Sequence, residues 1–474
     1  MRRNPWATLA VLAFAQFIVV LDVTIVNVAL PHIQTDLHFS PANLPWVISA
    51  YTLVFGGFLL LGGRAADLLG SRRVFVAGLA LFGATSLICG FAGSPGVLIA
   101  ARAVQGLGAA ILSPAALSIL TVTFPHGRDR NIAMGVWGGL AGLGGTLGVV
   151  VGGLLVDALD WRWVFFVNVP VVALIMALAP RFISPVPGAS GRRSFDAAGA
   201  ALGTAGVLAV VYGVVRAEPA GWGSLEVLGF LVGGVALLAA FVAVERRSVA
   251  PLVPLRLFTS RALSTSSTAL ALNGASFLGM FYLTSLYLQQ VRGDSALDAG
   301  LQFLPMGAAA IAAAVLSTQL VHRFGTKPVQ LAGAVLMLGG LALLMGAGAS
   351  GSYVSELLPG LVLFGLGIIT VGVPAQIAAV VDVRNEEAGA ASGVVTAFYQ
   401  VGGALGLAIV TTLSLSATTA SLGSGSSPQQ ALVDGFHRGL LIAGVFTLIN
   451  IGVSLMAPRL TPDEKQIAQA TAAA

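Results

Sequence analysis

Apolar residues run along this chain in blocks of about twenty, separated by short polar or glycine-containing turns. Blocks of that length predict helices that cross a bilayer, because ~30 Å of hydrocarbon needs ~20 residues at 1.5 Å rise each. Fourteen blocks are read: 6–30, 44–66, 74–93, 95–121, 132–156, 161–180, 196–215, 225–244, 262–289, 298–321, 328–348, 355–380, 388–416 and 437–457. Leaving out the pair at 196–215 and 225–244 would give twelve. The expected fold class is all-α membrane, with fourteen transmembrane helices. The first block follows Arg2 and Arg3, but it is too long for a signal-peptide h-region, carries Asp22 and lacks a clear A-x-A cleavage site, so it is expected to be retained. A serine- and glycine-rich segment near 414–434 reads as a flexible extracellular loop.

Composition excludes the soluble alternatives. Of 474 residues, 57% are hydrophobic and only 9% charged, with a mean hydropathy of +0.92. Soluble chains carry ~25% charged residues. The pI of 9.8 does not point to nucleic acid, since the basic residues are dispersed among short loops. With the N-terminus placed in the cytoplasm, 19 basic residues fall on the inside and four, Arg162, Arg216, Arg292 and Arg438, on the outside. That asymmetry predicts both termini in the cytoplasm. The single cysteine, Cys89, permits no intrachain disulfide and reads as a small packing residue. No Walker loop is present, so ATP hydrolysis by this chain is not expected.

Against this apolar background two ionisable residues stand out, because a charge at membrane depth is costly. Asp22 lies about eight residues before the outer end of the first block, and Arg102 about seven after the outer start of the fourth. The two helices are expected to run antiparallel, placing both side chains ~10–12 Å below the outer surface. A pair or a shared polar cavity is geometrically open. Burial favours a neutral carboxyl and a nearby guanidinium favours the carboxylate, so relative movement of the two would switch a proton on or off. No other acid falls deep inside a block. The polar and aromatic residues Asn27, Tyr51, Gln105, Asn273, Tyr282, Gln376 and Tyr399 are candidate substrate contacts, with interhelical hydrogen bonding as the alternative for the polar ones.

Several motifs lie in register with these blocks. The turn after the second reads Gly63-Arg64-Ala65-Ala66-Asp67-Leu68-Leu69-Gly70-Ser71-Arg72-Arg73. The first block contains Leu21-Asp22-Val23-Thr24-Ile25-Val26-Asn27-Val28-Ala29-Leu30-Pro31, and the fourth Arg102-Ala103-Val104-Gln105-Gly106. The fifth spaces Gly135, Gly144, Gly148, Gly152 and Gly153, with Val149 after Gly148. Gly144, Gly148 and Gly152 recur every fourth residue, a side-chain-free stripe suited to close helix contact. Trp161-Arg162-Trp163-Val164-Phe165-Phe166-Val167-Asn168-Val169-Pro170 joins the fifth block to the sixth. Arg323-Phe324-Gly325-Thr326-Lys327 echoes the first turn in the second half.

Together these resemble the major facilitator superfamily and, within it, the fourteen-helix drug:proton antiporters. The resemblance implies two six-helix bundles, at 1–182 and 251–474, with 183–250 contributing two inserted helices. It implies export of a small lipophilic compound, a drug or antibiotic, in exchange for protons, with no cofactor beyond the proton gradient and no enzymatic activity. Asp22 and Arg102 would couple the proton. Gly63, Asp67, Gly70 and Arg72 would form a cytoplasmic latch, and the glycine stripe would seal the interface between bundles. The expected partners are the substrate, protons and lipid, with no nucleic acid, and the expected unit is a monomer. The same fold permits proton-coupled uptake, or movement of an endogenous metabolite or lipid. A non-transporting sensor would need a signalling domain, for which no segment is long enough.

Overall fold

The computed structural model describes residues 4–124, 128–185, 196–248, 251–253, 255–381, 383 and 388–460. The described chain is helical: α1 (Pro5–Asp36), α2 (Trp46–Leu69), α3 (Ser71–Gly90), α4 (Pro95–Thr123), α5 (Arg128–Ala158), α6 (Trp163–Phe166), α7 (Asn168–Phe182), α8 (Ala197–Ala220), α9 (Leu225–Arg247), α10 (Arg261–Leu286), α11 (Ala296–Gln302), α12 (Leu304–Phe324), α13 (Thr326–Leu344), α14 (Leu358–Val381), α15 (Ala388–Gly423) and α16 (Pro428–Met456). The short helices α6 and α11 lead into α7 and α12, so the sixteen segments make fourteen crossings. Among the described residues thirteen helices are long and apolar enough to span a bilayer, and α5 adds the apolar stretch Gly144–Ala158.

The chain divides into two compact units. The first contains Met1–Phe39, Trp46–Ala205 and Leu237–Val253; the second contains Ser40–Pro45, Gly206–Ala236 and Pro254–Ala474. In the first unit α4 packs along α2 and α3, and α1 along α5. In the second, α10 packs along α15 and α16, and α14 along α12 and α13. Lipid gives no hydrophobic drive for helices to associate, so close packing must come from small residues that let backbones approach. Gly106 on α4 lies against the carbonyl of Tyr51 on α2, with no room for a Cβ. Gly402 and Gly406 on α15 meet Ala271 and Ala275 on α10 in the same way.

Both units use one turn chemistry. Gly70, between α2 and α3, has φ 91°, and Gly325, between α12 and α13, has φ 83°. Each is the residue before a new helix, in the left-handed region where a side chain is strained. The sequence echo around Gly325 is therefore a repeated backbone device.

One expectation is corrected. The segment near 414–434 is not a flexible loop: α15 continues to Gly423 and α16 begins at Pro428, leaving a four-residue turn. Its hydroxyls bond to the helices themselves. Thr418 Oγ1 donates to Ser414 O (3.1 Å), and Ser414 Oγ to Gly435 O on the neighbouring helix (2.7 Å). Asp434 accepts from Ser421 Oγ (2.6 Å) and Gln430 Nε2 (3.0 Å). Thr418 bonds back within α15, whereas Ser414 and Ser421 link α15 to α16.

Candidate functional site

In the first unit five helices converge on Asp22. Its side chain is fully buried on α1, and Arg102 on α4 is 1% exposed. Arg102 Nη1 donates to Asp22 Oδ2 in a direct ion pair. The same Nη1 donates to Gln105 Oε1 (2.8 Å), and Nε donates to the carbonyl of Val47 on α2 (3.0 Å). Gln105 sits one turn after Arg102, so both face α1, and its Nε2 donates to Asp22 Oδ1 (2.9 Å). Asn168, at the start of α7, gives that oxygen a second donor at 2.9 Å. Three side chains from two helices thus hold one carboxyl.

A further layer fixes those donors. Asn168 Nδ2 also reaches Ser86 Oγ on α3 (3.1 Å), and Ser86 Oγ donates to Phe165 O (2.9 Å). Cys89, one turn after Ser86, directs Sγ at Gln105 Oε1 (3.7 Å). The Arg102 guanidinium lies 4.3 Å from the ring centre of Tyr51 and 5.8 Å from that of Phe165, where the ring faces favour a cation. A buried charge pair is tolerable only when its remaining donors and acceptors are met, which is what these residues do. A proton arriving on Asp22 would turn an acceptor into a donor and deprive one of the three N–H groups of its partner.

The glycine stripe lies beside this cluster. A Cβ on Gly144 would lie 3.1 Å from Phe17 O, and one on Gly152 2.9 Å from Ile25 O. Gly148 meets Thr24 Oγ1, which itself donates to Leu21 O (3.1 Å) and Gly144 O (3.3 Å). This corrects the expectation of a seal between bundles: the stripe packs on α1, inside its own unit, because the small face of α5 is matched to the α1 face carrying Phe17, Leu21, Thr24 and Ile25. Gly153 is buried on the same helix. Gly135 lies earlier on α5, and its packing lies outside the described residues.

The other expected residues are dispersed. In the turn motif, a Cβ on Gly63 would lie 3.6 Å from Pro114 Cβ, Asp67 is exposed and Arg72 half-buried in the first turn of α3. Ser71 Oγ bonds Ser118 Oγ (2.8 Å), tying that turn to α4. Of the substrate candidates, Tyr51 and Gln105 belong to the ion-pair cluster, and Asn27 is buried on α1. The remaining four lie in the second unit. Asn273 is buried and donates to Ile368 O (3.1 Å), Tyr282 is buried on α10, Tyr399 is half-buried on α15 and Gln376 is exposed on α14.

Ser86 and Asn168 carry no role on sequence grounds, and Cys89 reads there only as a packing residue. Asn168 had a signal, since it belongs to the Trp161–Pro170 motif. That motif works at two depths. Trp161 Nε1 and Arg162 Nη2 hold Asp36, at the end of α1, at 3.0 and 2.8 Å, while Phe165 and Asn168 reach the centre. Among the described residues no three His, Cys, Asp or Glu side chains are grouped to hold a metal.

Comparison with known proteins agrees with this architecture. The family model for the Major Facilitator Superfamily matches residues 12–407. The puromycin resistance protein of Streptomyces alboniger is 41% identical over 458 residues, covering 96% of this chain and 90% of that protein. The cephamycin export protein of Amycolatopsis lactamdurans is 39% identical over 449 residues, covering 94% and 90%. The lincomycin resistance protein of Streptomyces lincolnensis is 36% identical over 417 residues, covering 87% and 85%. Among solved structures, a nucleoside transporter superposes with a TM-score of 0.68 at 12% identity, covering 95% of this chain and 99% of that one. A peptide transporter of the POT family gives 0.69 at 14%, covering 96% and 98%.

Proposed function

The chain belongs to the Major Facilitator Superfamily, and from that premise we propose that it exports an antibiotic or drug-like small molecule across the bacterial cytoplasmic membrane in exchange for protons. As a member it is a multi-pass membrane transporter of small molecules and not an enzyme. Export as the direction is supported by the relatives, which include proteins named for resistance to puromycin and lincomycin and for export of cephamycin. In this reading it acts as a monomer with both termini in the cytoplasm, and 1–182 and 251–474 are the two bundles that alternate around the substrate.

The observation that carries the proton reading is the buried Asp22–Arg102 pair with its two amide partners. Asp22 holds the transported proton. Without it, the carboxylate binds Arg102, Gln105 and Asn168 and locks α1 to α4 and α7. With it, Arg102 is released toward the Val47 carbonyl and the Tyr51 ring, both already in contact. Because α1 is pressed on α5 through Gly144, Gly148 and Gly152, a change at Asp22 acts on a rigid pair of helices rather than one side chain. Gly70, Arg72 and Asp67 form the cytoplasmic latch.

A susceptibility panel in an efflux-deficient bacterial host tests the proposal. Cells expressing the wild-type chain should resist at least one lipophilic antibiotic, and cells with Asp22→Asn at equal protein level should not. Equal resistance in both strains contradicts it.

A further inference from the structure

Two acids at the ends of the inserted helices are buried. Asp196 immediately precedes α8 and is 8% exposed; Glu245, near the end of α9, is 3% exposed. They meet at Gly199. A Cβ on that glycine would lie 2.7 Å from Glu245 Oε1 and 3.0 Å from Asp196 Oδ1, so those oxygens are within about 6 Å of each other, a distance at which like charges oppose ionisation. Asp196 caps α8, its Oδ1 accepting from Gly199 N at 2.8 Å. Glu245 Oε2 accepts from Val253 N at 3.2 Å. The second oxygen of each carboxyl, Asp196 Oδ2 and Glu245 Oε1, is buried without a hydrogen-bond partner.

Two neighbouring buried carboxylates with unmet oxygens, and among the described residues no cation between them, oppose each other's charge. Among the described residues the titratable group facing Glu245 is Asp196. Segment 251–253 presents backbone N–H groups, and α2 approaches α8 through Gly57 against Thr204, neither of them titratable. Arg246 and Arg247 follow on α9 but are exposed on other faces. A metal ion is a poor occupant, since the two unmet oxygens fall short of the six or so that a hard cation requires.

We propose that Asp196 and Glu245 together bind one proton at neutral pH and form a protonation site separate from Asp22. The proton is assigned to Glu245 because Asp196 sits on the N-terminus of α8, accepting from Gly199 N. Glu245 carries the proton and directs its O–H at the Asp196 carboxylate, while its other oxygen keeps Val253. Loss of the proton sets two negative charges against each other at the point where α8, α9 and the segment 251–253 are joined. The inference does not depend on what the chain transports.

Infrared difference spectroscopy of the full-length protein in lipid nanodiscs tests this, with the carbonyl stretch of protonated carboxyl groups followed from about pH 6 upward. Exposed acids, with ordinary values of about 4, are already ionised there. An Asp22→Asn background removes the ion-paired acid, and one titrating band should remain. Adding Glu245→Gln should abolish that band. Adding Asp196→Asn instead should keep the band and lower its midpoint by about one pH unit or more, because the opposing charge is gone. No band in the Asp22→Asn protein, a band that survives Glu245→Gln, or a midpoint that Asp196→Asn leaves unmoved or raises would each overturn the proposal. Should Glu245→Gln lower the yield of folded protein, the Asp196→Asn shift decides alone.

Discussion

Asn168 Nδ2 lies 2.9 Å from Asp22 Oδ1 and 3.1 Å from Ser86 Oγ, so one amide joins the proton-coupling candidate on α1 to α3. The Asp22–Arg102 pair is therefore braced from a side that neither α1 nor α4 supplies. Asn168 is fully buried.

Replacing Asn168 with Ala should cost roughly 1–3 kcal/mol, the range for leaving buried polar partners unsatisfied. Drug efflux should fall while membrane insertion persists. Thermal unfolding in detergent, paired with efflux at matched protein level, checks both. Unchanged values in the two assays would remove Asn168 from the network.

Arg102 carries the strongest charge prediction. Arg102→Ala leaves Asp22 buried without a cation, and breaking a buried pair in this way costs about 3–5 kcal/mol. The double variant Asp22→Asn/Arg102→Ala removes the stranded charge and should recover much of that loss in stability, though not transport. Arg102→Lys should restore transport poorly, because an ammonium lacks the fork that reaches Asp22, Gln105 and the Val47 carbonyl together. A double variant no more stable than Arg102→Ala argues against an ionised Asp22.

Gly148 tests the close contact of α5 with α1. A Cβ there collides with Thr24 Oγ1, and a Trp side chain also displaces the α1 backbone near Leu21. Gly148→Trp should abolish transport at unchanged expression. Gly148→Ala should impair it less, and Thr24→Ala combined with Gly148→Ala should recover part of the loss. Full transport by Gly148→Trp would show that α1 and α5 need not touch.

How much of this was legible in the sequence differed by feature. The crossings were, since twenty-residue apolar blocks have few other uses. Asp22 and Arg102 were as well, because charges stand out in apolar blocks and rise per residue gives matched depth. Their network was not. Ser86 and Cys89 are small residues in an apolar run, and nothing in spacing says that α3 turns that face to Gln105. The glycine stripe announced a close contact but not its partner, which proved to be α1. Asp196 and Glu245 fall at the edges of the blocks 196–215 and 225–244, where hydropathy does not mark burial; their burial depends on α8 and α9 meeting at Gly199. The 414–434 segment read as a loop from its Ser and Gly content, and only the neighbouring helix shows why its hydroxyls support structure.

In the proposed mechanism Asp22 carries the exchanged proton. The most direct test is substrate-induced proton movement in proteoliposomes containing the purified chain, with a compound identified by the susceptibility panel and a pH-sensitive dye inside. Adding substrate to wild-type protein should move protons opposite to it, and Asp22→Asn should abolish this movement while the protein still binds substrate and remains folded. Proton movement of wild-type size in Asp22→Asn would contradict this mechanism.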